Sequence, residues 1–310
     1  MEEKVVIALG GNALGHSPEE QRAAVVYTSK SIADLVESGA RVTICHGNGP
    51  QVGMIKKAMD TATNADESIP MMPFPECGAM SEGYIGYHLQ SALHNELKSR
   101  NLDINVVSLV TQVLVDANDQ SFNNPTKPIG NFMSKEEADK LAEKGISVVE
   151  DSGRGYRQVV ASPMPVDIIE GQAIKKLVES GVVVIAGGGG GIPVVYQDGA
   201  LVGVDAVIDK DSTSVRIAQT IDADKLIILT AVDKVAINFG KPDEKWLDKL
   251  TVDEARNYIQ SKEFAEGSML PKIKAAVDFA ESKEGRKTLI TSLEKAGDGL
   301  KGKTGTWIVK

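Results

Sequence analysis

Aromatic side chains are scarce in this sequence, at 5% of its residues, and positive charge is outnumbered. The 34 lysines and arginines face 43 aspartates and glutamates, for a formal net charge of −9. That balance argues against wholesale binding to a nucleic-acid backbone, which needs a basic surface. An anion can still be held locally, by a few lysines or by backbone N–H groups. No apolar run approaches the roughly 18 residues of a membrane span. The start, Met-Glu-Glu-Lys, lacks the basic and apolar regions of a secretion signal, so a cytoplasmic protein is expected. In that setting Cys45 and Cys77 are expected to be reduced thiols. Neither has metal-ligand spacing with a histidine, and His16, His46, His88 and His94 are scattered, which argues against a zinc site.

What is present is an ordinary globular composition, 42% hydrophobic and 25% charged over 310 residues. That is enough for one large α/β domain, or two lobes sharing a sheet. The 30 glycines are not spread evenly. Apolar runs at 4–9, 41–45 and 181–186 each lead into glycines: Gly10-Gly11-Asn12, Gly47-Asn48-Gly49 and Gly187 to Gly191. A further apolar run covers 224–229. These runs are continuous rather than alternating, as in strands buried on both faces of a parallel sheet. A helix is predicted over 17–37, with Ser17 as N-cap, Pro18 in its first turn and Glu20 completing a capping box. Residues 117–165 break the rhythm. They are rich in Asn, Pro, Gly and Ser, with one short helix predicted near 134–145, and read as a small subdomain projecting from the sheet.

Glycines at the carboxyl ends of parallel strands let backbone N–H groups approach an anion, and a helix starting there adds partial positive charge. A tight turn is the plainer reading for any one cluster; three in succession favour a phosphate cradle, with Gly187 to Gly191 assigned more loosely, to the junction between two lobes. Two familiar fingerprints are discounted. Gly297 to Thr304 spells the P-loop pattern, but too few residues follow for the required helix, so a solvated hairpin turn is expected. Gly47 to Gly53 approximates a dinucleotide fingerprint, but proline-rich loop stands where a ribose-binding strand is needed.

Charged residues cluster in Asp209-Lys210-Asp211, at a junction before a helix predicted from Ser212. A lysine there reaches a phosphoryl group, and an adjacent aspartate holds it in place. Lys272 sits with Pro271 in the first turn of a helix predicted over 273–280, where a cation makes sense if an anion is bound. Lys127 lies between two prolines in the projecting segment.

The ordered blocks ALGGNAL (8–14), HGNGPQVG (46–53), NPTKPIG (124–130), DSGRGYR (151–157), GGGGIPVV (188–195), AVIDKD (206–211), INFGKPDEK (237–245) and GSMLPKI (267–273) resemble the carbamate kinase family, within the amino acid kinase superfamily. The resemblance spans nearly the whole chain. It implies an open, mainly parallel twisted sheet of about eight strands between helix layers, in a homodimer. Within it, 1–195 would be the acceptor lobe, carrying the protruding 117–165, and 196–310 the nucleotide lobe. The implied reaction converts carbamoyl phosphate and ADP to ATP and carbamate with Mg²⁺, the metal held by nucleotide phosphates and water rather than by side chains. The resemblance makes Lys127, Lys210, Asp211 and Lys272 catalytic. It places Gly10, Gly11, Asn12, Gly47, Asn48 and Gly49 around the transferred phosphoryl group. It assigns Phe239, Gly240, Pro242 and Met269, with Lys210 and Lys272, to the nucleotide.

Three positions depart from the family pattern: Phe239 stands for Tyr, Tyr156 for Trp, and Met164 for Lys. In either direction the attacking oxygen is already anionic, so the lack of a general base is no obstacle. Another kinase of the superfamily, or a sensor that keeps the fold without catalysis, stays open at this point, as does the physiological direction.

Overall fold

The computed structural model describes all residues except 1, 11–13, 15–16, 144 and 152, and at residue 131 the backbone alone. The chain opens with β1 (Lys4–Leu9), α1 (Pro18–Glu37), β2 (Arg41–His46), α2 (Gly49–Ala65), α3 (Phe74–Ser99) and β3 (Val106–Ser108). An excursion follows: β4 (Gln112–Val115), β5 (Lys127–Met133), α4 (Lys135–Glu143), β6 (Val148–Glu150), β7 (Tyr156–Val160) and β8 (Pro165–Ile168). Next come α5 (Gly171–Glu179), β9 (Val183–Ile185), β10 (Ile192–Gln197), β11 (Ala200–Gly203), α6 (Lys210–Thr220) and β12 (Lys225–Thr230). The chain closes with β13 (Val235–Ile237), β14 (Lys245–Leu247), β15 (Lys249–Thr251), α7 (Val252–Gln260), α8 (Met269–Glu281), β16 (Lys287–Ser292), α9 (Ala296–Leu300) and β17 (Thr306–Val309).

Eight strands form the central sheet in the order β15-β17-β16-β12-β1-β2-β9-β3. From β16 to β3 all neighbours are parallel, and β17 runs antiparallel to β16. The two-sided burial expected from the continuous apolar runs is explicit in β1. Val5, Ile7 and Leu9 join one core under α1 and α3, while Val6 and Ala8 join the other under α5, α6 and α8. The start of α1 forms as its sequence requires. The Ser17 hydroxyl accepts from the Glu20 N–H, and the Glu20 carboxylate accepts from the Ser17 N–H, each at 3.2 Å.

The excursion predicted over 117–165 contains a sheet of its own, β5-β7-β6, with α4 beside it. It packs on α2 and α3 through a small separate cluster of Val52, Phe74, Cys77, Ile129, Val160 and Val207. Contact with α2 is very close. A Cβ on Gly53 would lie 2.3 Å from the Gly130 Cα.

Two sequence-based expectations need correction. The P-loop-like segment is not a hairpin turn: Gly297 to Leu300 fall in the short helix α9, and a turn then leads into β17. The helices bearing the site lysines begin earlier than predicted, α6 at Lys210 and α8 at Met269.

Candidate active site

Because β1, β2 and β9 are adjacent and parallel, Gly10, Gly47 to Gly49 and Gly187 to Gly191 lie side by side at the carboxyl ends of these strands. The structure uses them differently. Gly10 follows β1 and lines a cleft of about 760 Å³ with Asp209, Asp211, Thr230, Ser268 and Lys272. Gly11 and Asn12 lie outside the described residues. Gly47 bonds to β1, its N–H donating to the Leu9 carbonyl at 3.1 Å. Asn48 precedes α2 in the N-cap position, yet its side chain does not cap the helix. It turns inward and donates to the Ser81 hydroxyl at 2.7 Å. Gly49 is the first residue of α2, so the N-terminus of that helix begins where the sequence places the phosphoryl loop.

Gly187 to Gly191 do other work. A Cβ on Gly188 would meet the His46 ring at 2.5 Å, one on Gly189 the Asn48 amide at 2.0 Å, and one on Gly190 the Ile208 carbonyl at 2.2 Å. The run is mostly buried and left-handed in φ at four of its five residues. Its glycines allow β2, α2 and the approach to α6 to close on one another. Thr111 and Thr213 fix it, the first hydroxyl accepting from the Gly187 N–H at 2.9 Å and the second donating to the Gly190 carbonyl at 2.7 Å.

The charged cluster is assembled from three separate elements. Asp209 caps α6: its Oδ1 accepts from the Asp211 N–H at 3.0 Å. Lys210 therefore opens the helix, and its ammonium bonds to Asp211 Oδ1. Lys272, the fourth residue of α8, reaches Asp211 Oδ2 at 2.8 Å. Lys127, on β5, reaches Asp209 Oδ2 at 2.5 Å. Three ammonium groups thus face two carboxylates, leaving one positive charge for an incoming anion.

Burial alone would raise the Asp211 carboxyl, but Lys210 and Lys272 outweigh it and hold it below the usual range. Asp209 is likewise depressed against its burial, by Lys127, Lys210 and Lys272. Lys272 is pushed down from its ordinary value by burial and by the neighbouring Lys210 charge. For Lys210, burial works downward but Asp211 and Asp209 more than offset it, and its affinity for a proton rises. Behind this layer, burial lowers His46 to about 4, so a neutral imidazole closes β2.

A second cavity, of about 290 Å³, continues from the first through Thr230, Ala231 and Ser268. Its lining is mainly apolar: Phe239, Trp246, Phe264 and Met269 among others. Phe239 and Trp246 meet edge to face, with ring centroids 6.0 Å apart. Gly240 and Pro242 belong to the turn between β13 and β14 and line neither cavity. Among the described residues, no group of three or more His, Cys, Asp or Glu is arranged to hold a metal ion.

Residues 3–292 match the amino acid kinase family. The chain belongs to that family. It is 56% identical over 308 residues to carbamate kinase of Staphylococcus haemolyticus (strain JCSC1435), covering 99% of both chains. Identity is also 56% to the carbamate kinase-like protein YqeA of Escherichia coli (strain K12), with the same coverage. The carbamate kinase from Giardia lamblia bound to AMP-PNP superposes with a TM-score of 0.91 at 43% identity, covering 100% of this chain and 99% of that one. The chain is a phosphotransferase of the amino acid kinase fold, as its sequence blocks implied.

Two members of this amino acid kinase site had no assigned role in the sequence. Asp209 was visible as one of two neighbouring carboxylates, but its partner Lys127 lies 82 residues away. Trp246, in β14, gave no local signal; only the aromatic scarcity of the chain singles it out. Of the three departures, Phe239 is exposed and needs no hydroxyl to meet Trp246. Met164 is also exposed, with its N–H donating to Asp119 Oδ2 at 3.0 Å. Tyr156 sits half-buried opposite Met133 and Glu150 in the small sheet.

Proposed function

We propose that this protein transfers a phosphoryl group reversibly between carbamoyl phosphate and ADP, forming ATP and carbamate. The observation that carries the reading is the meeting of Lys127, Lys210 and Lys272, from β5, α6 and α8, on the adjacent carboxylates of Asp209 and Asp211. Such a cluster stabilises the charge of a loose phosphoryl transition state without a proton acceptor. The attacking oxygen, on carbamate or on the β-phosphate of ADP, is anionic already. The apolar cavity of Phe239, Trp246 and Met269 suits a nucleobase, and the cleft leading from it to Gly10 suits the phosphates. The relatives named carbamate kinase support the choice of acceptor.

In this reading 1–195 form the acceptor lobe, with Lys127 reaching in from the 117–165 excursion, and 196–310 form the nucleotide lobe. The Gly10–Asn12 and Gly47–Gly49 loops surround the transferred group. Both site carboxylates are occupied by lysines, which fits Mg²⁺ carried on nucleotide phosphates and water. Bound there, the ion would neutralise charge across the β- and γ-phosphates. A cytoplasmic homodimer completes the proposal.

³¹P NMR tests it directly, with ADP and Mg²⁺ supplied with carbamoyl phosphate, with acetyl phosphate, or with no donor. ATP is expected from carbamoyl phosphate far faster than from the other two. No ATP from carbamoyl phosphate would leave a different acceptor or a non-catalytic sensor.

A further inference from the structure

Asp209 uses its two carboxylate oxygens for different tasks. Oδ1 caps α6 at the Asp211 N–H, at 3.0 Å, which fixes the orientation of the carboxylate. Oδ2, so aimed, takes the Lys127 ammonium at 2.5 Å across 82 residues of chain. Both side chains are shielded from solvent, at 29% and 27% exposure.

The place of Lys127 in the excursion matters. It pairs with Val160 at the root of the small sheet. The next residue on that side, Ala161, accepts from the Val207 N–H at 2.9 Å, just before Asp209. On its other side β5 rests on α2 at Gly53 and Gly130. The remaining ion pairs of the excursion, Lys140–Glu136, Arg154–Asp151 and Arg157–Asp151, are internal to it. Among the described residues, Lys127–Asp209 is the ion pair that joins the excursion to the rest of the chain.

We infer that Asp209 is a positioning residue for the acceptor end of the site: it holds the excursion closed through Lys127 before substrate arrives. An ammonium has three N–H donors, so one bond to Asp209 leaves two for the acceptor anion. The cap fixes Asp209 to the same helix start that carries Lys210 and Asp211. One carboxylate thereby sets the position of the excursion relative to the phosphoryl-transfer lysines. The kinetic part of this inference rests on the proposed function; the closure does not.

Asp209→Asn retains an oxygen for the cap and loses the charge. Its KM for carbamoyl phosphate is expected to rise about tenfold, as for loss of a shielded charge-assisted bond, with KM for ADP moving less than about threefold. In a Lys127→Met background, adding Asp209→Asn should change KM less than about twofold, because the residue it positions is gone. Hydrogen exchange gives the readout independent of substrate. Amides of 127–133 and 156–160 should exchange roughly tenfold faster in either single variant of the ligand-free protein, with the central sheet unchanged. An unchanged KM, multiplying effects in the double variant, or unchanged exchange would each overturn the inference. If the unmodified protein does not turn over carbamoyl phosphate, the proposed reaction fails while exchange still decides the closure. Lys127→Met supplies that reading should Asp209→Asn fail to fold.

Discussion

Lys272 places its ammonium 2.8 Å from Oδ2 of Asp211, a carboxylate whose other oxygen already holds Lys210. Asp211 is 2% exposed, so the two lysines share one shielded counter-charge.

Asp211→Asn should therefore be costly in two ways. Two largely buried ammonium groups are left without this carboxylate, a loss of about 3–5 kcal/mol of folding stability when a buried pair is broken. Turnover should fall by about 10²–10³, as for removal of an electrostatic element of a transition-state site. Chemical denaturation and steady-state kinetics measure the two. Near-normal turnover would remove Asp211 from the machinery.

Glu82 gives a pH-dependent prediction. It is buried on α3, accepting from the Thr111 N–H at 2.9 Å, and burial raises its carboxyl well above the usual value. The native state thus keeps the proton over a pH range in which the unfolded chain has lost it. Stability from this group is fully present below about pH 4.5 and is lost as pH rises towards the native pKa, by up to about 1.4 kcal/mol per pH unit. Glu82→Gln keeps an acceptor and does not titrate. Its stability relative to the unmodified protein should grow with pH over that window, measured by denaturation at pH 5, 6 and 7. A pH-independent difference would contradict the buried neutral carboxyl.

His46 acts in the opposite sense. Its pKa is lowered from 6.5 to about 4, so the unfolded chain binds a proton that the native state refuses between these values. Its contribution is complete above pH 6.5 and falls by roughly 3 kcal/mol as pH drops to 4. His46→Gln should flatten that part of the acid-denaturation profile.

Trp246 should report nucleotide binding. It is one of two tryptophans, and the other, Trp307, lies in β17 outside both cavities. ADP is expected to change the fluorescence of a Trp307→Phe variant. Trp246→Ala should raise KM for ADP about tenfold while leaving that for carbamoyl phosphate nearly unchanged, since loss of one stacking face costs about 1–3 kcal/mol.

Discounting the P-loop match leads to the opposite expectation at Lys303. Lys303 is exposed and pairs at 3.6 Å with Asp298, beside α9. Lys303→Ala should alter KM for ADP less than about twofold, within the small range expected of a surface charge. A large increase would restore the motif as a nucleotide loop.

Where the sequence could be read, the determinants were local. Ser17 and Glu20 cap α1 as their spacing dictates, and the uninterrupted apolar runs of β1 and β12 reflect cores on both sheet faces. Misreadings came where distance decided. The helix read from Ser212 begins two residues earlier, at Lys210, with Asp209 as its cap and the Asp209 carboxylate also holding Lys127. Gly187 to Gly191 are locally indistinguishable from a phosphate loop. What demands glycine is the approach of His46, Asn48 and Ile208, from segments far away in sequence. Lys127, Lys210 and Lys272 were identifiable one by one, while their pairing with two carboxylates required the fold.

The inward turn of Asn48 means that its side chain does not cap the backbone amides at the head of α2, a sacrifice of about 1 kcal/mol in the isolated protein. Folding and ligation then share a term. An anion seated on those amides completes the helix as well as the site, so the melting temperature becomes a titration curve for the acceptor. At a hundredfold excess over Kd the stabilisation would approach about 2.7 kcal/mol. Heat, with no coupled assay, could then rank candidate anions for this enzyme.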